Sequence, residues 1–157
     1  MLIEKDYRGH EHKINLAYDN QEPFYVPENL YIIGMMNTAD RSLAMIDYAL
    51  RRRFSFYKMK PGFSSNGFKA YQAELANETF NKLIDAIQTL NKKIESDSSL
   101  GSGFCIGHSY FCNQKQCTKE WLQSVIRYEI LPMLKEYWFD EDQNVREWED
   151  ALESIVK

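Results

Sequence analysis

Leu30-Tyr31-Ile32-Ile33-Gly34-Met35-Met36 is an unbroken apolar run of seven residues. It is far shorter than the ~20 residues of a membrane span. Its length and β-branched content suit a strand buried on both faces, as in a parallel sheet. Such a strand needs a partner at each edge and cover on each face. The residues that follow fit an α/β order. Asp40 or Ser42 can cap a helix, and Leu43, Ile46 and Leu50 recur at helical spacing. That helix ends in Arg51-Arg52-Arg53, where cations complement the helix dipole. Phe54 to Met59 then alternates as a second strand, closed by Pro61-Gly62.

The flanking sequence has a different character on each side. Residues 1–13 are mostly charged, and residues 14–29 carry turn signals between short apolar pieces, which predicts a small hairpin or ordered loop. Ser64-Ser65-Asn66-Gly67 reads as a linker. After it the apolar spacing is helical from Phe68 to about Glu95, from Trp121 to about Trp138 with Pro132 as a possible kink, and from Val145 to Val156. The expected organisation is an α/β part over residues 1–61 and a helical part over 62–157. A two-stranded piece of parallel sheet is incomplete by itself, so an N-terminal portion is expected to be missing or supplied by another chain.

Composition narrows the function classes. The 157 residues are 44% hydrophobic and 27% charged, too apolar for a disordered chain. A formal net charge of −4 argues against a general nucleic-acid-coating surface, while leaving room for a local basic patch. The charged N-terminus lacks the apolar core of a signal peptide. The three cysteines, an odd number, read as free thiols in a reducing cytoplasm.

Several side chains are candidates for chemistry. Asn37 sits where the apolar run ends, and ligands of open α/β sheets bind beyond the carboxyl ends of strands. Its amide can orient a water or touch a phosphate oxygen, or it can simply satisfy backbone groups at the turn. Asp40 is either a helix cap or, with Arg41, a charged pair linking a phosphate site to a partner surface. Arg51 to Arg53 lie roughly 16–20 Å along a helix from Asp40, too far to share one nucleotide with Asn37 in the same subunit. In a ring they could reach a neighbour's γ-phosphate; otherwise they are a solvated helix end or a small DNA-phosphate patch. Cys105, His108, Cys112 and Cys117 have a spacing that zinc could use, but thiols in an aromatic segment are more often core, and no metal site is assigned.

The block Asn29-Leu30-Tyr31-Ile32-Ile33-Gly34-Met35-Met36-Asn37-Thr38-Ala39-Asp40-Arg41-Ser42-Leu43-Ala44, with Asp47-Tyr48-Ala49-Leu50-Arg51-Arg52-Arg53-Phe54 after it, closely resembles the McrB-type AAA+ GTPases, motor subunits of 5-methylcytosine-dependent restriction systems. Ile106-Gly107-His108-Ser109-Tyr110-Phe111 is similar to a second motif of that family, in its helical lid. The two matches frame residues ~14–135. The resemblance implies the last strands and helix of an AAA+ parallel-sheet domain, then a helical lid subdomain. It implies sensor 1 at Asn37, a nucleotide-side and partner-coupling element at Asp40 and Arg41, and trans-acting arginine fingers at Arg52 and Arg53, with Arg51 beside them. His108 and Ser109 fall where the family's lid approaches nucleotide.

The departures limit the expected activity. The family's glycine-rich phosphate loop is absent, since the seven glycines never form it, and so is the strand ending in acids that holds Mg²⁺. On the resemblance both would lie before Met1. The expectation is therefore a C-terminal segment of a motor, inactive alone and without cofactor. In a complete motor it would work with GTP and Mg²⁺, neighbouring AAA+ subunits in a ring, and a McrC-type nuclease. DNA would be met only through that assembly. A non-catalytic module docking on a complete motor or nuclease is the rival reading, and a DNA-binding module using Arg51 to Arg53 is the third.

Overall fold

The computed structural model describes residues 2–37 and 48–157. They fall into two compact units, Met1–Tyr57 and Lys58–Lys157.

The first unit is held mainly by its backbone. Strands β1 (Ile14–Leu16) and β2 (Asp19–Phe24) pair antiparallel, the hairpin that the turn signals predict. Gly9, at φ +101°, donates its N–H to the Val26 carbonyl at 2.8 Å. A Cβ there would also come within 2.8 Å of the Glu28 carboxylate, so glycine is required at this turn. The Arg8 guanidinium donates to the carbonyls of Ile3 (2.7 Å) and Leu30 (2.5 Å), pinning the start of the apolar run. Helix α1 (Tyr48–Arg51) is one turn long. Val26 is the buried hydrophobic side chain of this unit among the described residues.

The strands expected over Leu30–Met36 and Phe54–Met59 are not formed. Both stretches are irregular, and Tyr31, Ile33 and Met35 are 85%, 91% and 96% exposed. The physical reason is the requirement for partners: among the described residues β1 and β2 form the one ladder, and nothing offers a parallel strand its edges and cover. Most of the helix expected after Asp40 lies outside the described residues; its last turn is α1.

The second unit carries the core. Helix α2 (Asn66–Leu75) leads into α3 (Glu78–Ser96), whose face Phe80, Leu83, Ile84, Ile87, Leu90 and Ile94 is fully buried. A helix continuous from Phe68 to Glu95 is expected from spacing, yet it breaks at Ala76, which takes a left-handed conformation (φ 44°). Asn77 restarts it by accepting the Phe80 N–H at 2.9 Å. Asparagine competes for backbone in this way, so the apolar spacing persists while the helix does not.

Helices α4 (Lys119–Val125) and α5 (Leu131–Tyr137) form one rod joined by a π-helical segment, Ile126–Ile130. The π-helical segment lies just before Pro132, where the sequence suggests a possible kink. Proline has no N–H to give the preceding turn, and the rod widens instead: the Leu131 N–H bonds to the Ile126 carbonyl five residues back. Helix α6 (Asp142–Val156) packs against α3, α4 and α5 through Val145, Leu152 and Val156. Fully burying each of these apolar side chains contributes about 1.5–3 kcal/mol against conformational entropy.

Candidate functional site

The three arginines that share one stretch of sequence have three different surroundings. Arg51 ends α1 and is exposed. Arg52, just past the end of α1, is exposed, with its guanidinium carbon 4.7 Å from the Tyr48 ring centre. That stacking holds the side chain along α1 while leaving its edge open. Arg53 is half-buried and engaged: its Nε donates to Glu4 at 2.6 Å and its Nη1 donates to the Ala49 carbonyl. The Arg53 guanidinium holds the Glu4 carboxyl below the ordinary carboxylate range, with partial desolvation opposing it. Asn37, at the end of the irregular run, is exposed. Asp40 and Arg41 lie outside the described residues.

A separate group of candidate residues belongs to the second unit and is built from α3 outward. Asn91 stands on the buried face of α3, between Ile87 and Ile94. Its side chain clamps Ile106: Oδ1 accepts the Ile106 N–H at 2.6 Å, and Nδ2 donates to the Ile106 carbonyl at 2.9 Å. The following short turn, His108–Phe111, is thereby fixed on the helix. His108 is half-buried, edge-on to Phe63 and Phe68. Its Nδ1 accepts the Gly62 N–H at 3.0 Å, which leaves Nε2 as the nitrogen that carries hydrogen in the neutral ring. A Cβ on Gly62 would fall 2.9 Å from this imidazole, so the absent side chain makes room for the ring. Ser109 is exposed, and its carbonyl accepts the Cys112 N–H.

The cysteines border this region without forming a ligand set. All three are free and half-buried, and burial pushes each thiol up. Cys112 donates to the His108 carbonyl at 3.2 Å, and Cys105 packs beside Asn91. Among the described residues no cluster of three or more histidine, cysteine or acidic side chains is arranged to hold a metal. No described helix is long and apolar enough to cross a membrane.

Two residues outside the sequence motifs position His108, Gly62 directly and Asn91 through Ile106. Gly62 reads in the sequence only as the end of a strand. Asn91 was detectable, because it is a polar residue at the place in the α3 stripe where spacing predicts an apolar one.

A helical unit closed on α3, with the His108 turn clamped to it, defines an all-helical domain. Residues 82–146 match the family model of the McrB alpha-helical lid domain. The chain is also 44% identical to the type IV methyl-directed restriction enzyme EcoKMcrB subunit of Escherichia coli (strain K12), over an alignment covering 97% of this chain. It spans 35% of that protein's length. The resemblance to McrB-type proteins therefore extends along nearly the whole chain.

Proposed function

We propose that this chain is a C-terminal segment of a McrB-like AAA+ GTPase in a methylation-dependent DNA restriction system. The observation that carries this reading is 44% identity, through both units, to a subunit of a methyl-directed restriction enzyme. In the complete motor Leu30–Met36 becomes a strand of the parallel sheet, and Asn37 acts as sensor 1. Arg52 and Arg53 are the fingers offered to the neighbouring subunit's nucleotide, with Asp40, Arg41 and Arg51 coupling the partners. The helical part, residues 62–157, is the lid, bringing His108 and Ser109 toward GTP and Mg²⁺. The ring engages a McrC-type nuclease in the cytoplasm and meets DNA through that assembly. Without a phosphate loop or metal-binding acids the isolated chain does not hydrolyse GTP.

A chimera tests this. The segment replaces the matched region of the E. coli subunit, and GTP hydrolysis is measured in the assembled enzyme. The chimera is expected to turn over GTP. Arg52→Ala with Arg53→Ala is expected to lower turnover by about 10³ while nucleotide binding persists. Unchanged turnover in the double variant sinks the finger role.

The engagement of Arg53 by Glu4 and the exposed apolar run favour a second reading, a non-catalytic module that docks on a complete motor. Added to such a motor, it predicts binding with no change in GTPase rate.

A further inference from the structure

The second unit uses some of its lysines internally. Lys135 and Lys157 lie within ion-pair distance of Glu149 and Glu153. Lys93 is taken up by Asn144 and the Trp138 ring. Lys58, Lys60 and Lys92 have no carboxylate within that distance among the described residues. Unlike other free surface lysines, these three line a single groove of about 190 Å³. It opens between the segment leading to Pro61, one side of α3, and the turn that carries Ser102 and Cys105. Glu95 is the one acid on its wall.

The groove is therefore cationic in a chain whose net charge is −4. Three cations facing a single acid are in net mutual repulsion, and a bound anion relieves that cost. Lys58 already donates across the groove to the Ser102 hydroxyl. Cys105 reports the same field: burial and Glu95 push its thiol up, and Lys58 and Lys60 oppose them.

We propose that this groove binds phosphate groups of a nucleic-acid backbone. Its form favours a polymer over a free nucleotide. The groove is open rather than enclosing, and Phe63, the aromatic ring in its lining, is buried and offers no face to a base. Ammonium groups on a rim act as point charges that read phosphate and not sequence.

The test is fluorescence anisotropy of a labelled DNA duplex with the full chain, with inorganic tripolyphosphate as the free-phosphate arm. Three lysine–phosphate contacts predict a log–log salt slope of about −2.7, or about a 40-fold loss of affinity between 50 and 200 mM salt. Lys60→Glu with Lys92→Glu should weaken binding about tenfold or more, and the control Lys69→Glu, on the exposed side of α2, much less. In a Cys112→Ser, Cys117→Ser background, bound DNA should slow alkylation of Cys105. Absence of DNA binding at low salt overturns the proposal. So does binding that survives the double reversal but is lost in Arg51→Ala with Arg52→Ala. Saturable binding of tripolyphosphate without DNA binding also overturns it, in favour of a free-phosphate site.

Discussion

Asn91 and Asp97 show how single polar side chains fix the helical unit. Replacing Asn91 by alanine leaves the Ile106 N–H and carbonyl without their partner in a buried place. The expected cost is about 1–3 kcal/mol, read as a lower urea midpoint at unchanged slope. Asp97, just past the end of α3, accepts from the Ser99 hydroxyl (2.6 Å), the Ser99 N–H (2.7 Å) and the Trp138 indole (2.9 Å). These bonds hold its carboxyl at about 2, below its ordinary 3.8. A depressed carboxylate contributes stability that is full above its unfolded value and is lost as pH falls through its folded one. The stability gap between the protein and Asp97→Asn should therefore be widest above about pH 4 and close toward pH 2. Urea melts across that range check it; a gap that grows on acidification would refute the assignment.

Helix–helix packing was the most legible element-scale feature, because it is written as spacing along one segment. The buried face of α3 and the apolar face of α6 follow directly from residues such as Leu83, Ile87, Leu152 and Val156. The break at Ala76–Asn77 was not legible, because the apolar stripe continues on both sides of it. The π-helical segment was legible only as a proline problem, since the sequence states that Pro132 lacks a donor but not where the rod absorbs that. At Leu30–Met36 the sequence pattern and the structure part. A double-sided apolar run describes the surroundings a strand requires, and it cannot supply them. Of the candidate site, the arginines and His108 were found by motif. Their different surroundings depend on Tyr48, Glu4 and Gly62, the last two distant in sequence. Asn77→Ala removes the cap that restarts α3 and should cost about 0.5–2 kcal/mol by thermal or urea unfolding.

On the scale of the whole molecule, burial is unevenly shared. The continuous hydrophobic core runs from Phe63 to Val156 and lies within the second unit. A fragment of residues 58–157 should therefore unfold cooperatively, with a melting temperature close to that of the full chain. Phe80→Ala should lower the stability of both by about 3–5 kcal/mol. A fragment that melts without a cooperative transition would show that the core depends on residues 1–57. The exposed run at Leu30–Met36 has a further, practical consequence. It has no charge and no proline, and several of its side chains face water. Such segments seed intermolecular strand pairing. For this chain, shelf life in solution and resistance to heat are governed by different residues, and a substitution that improves one leaves the other where it was.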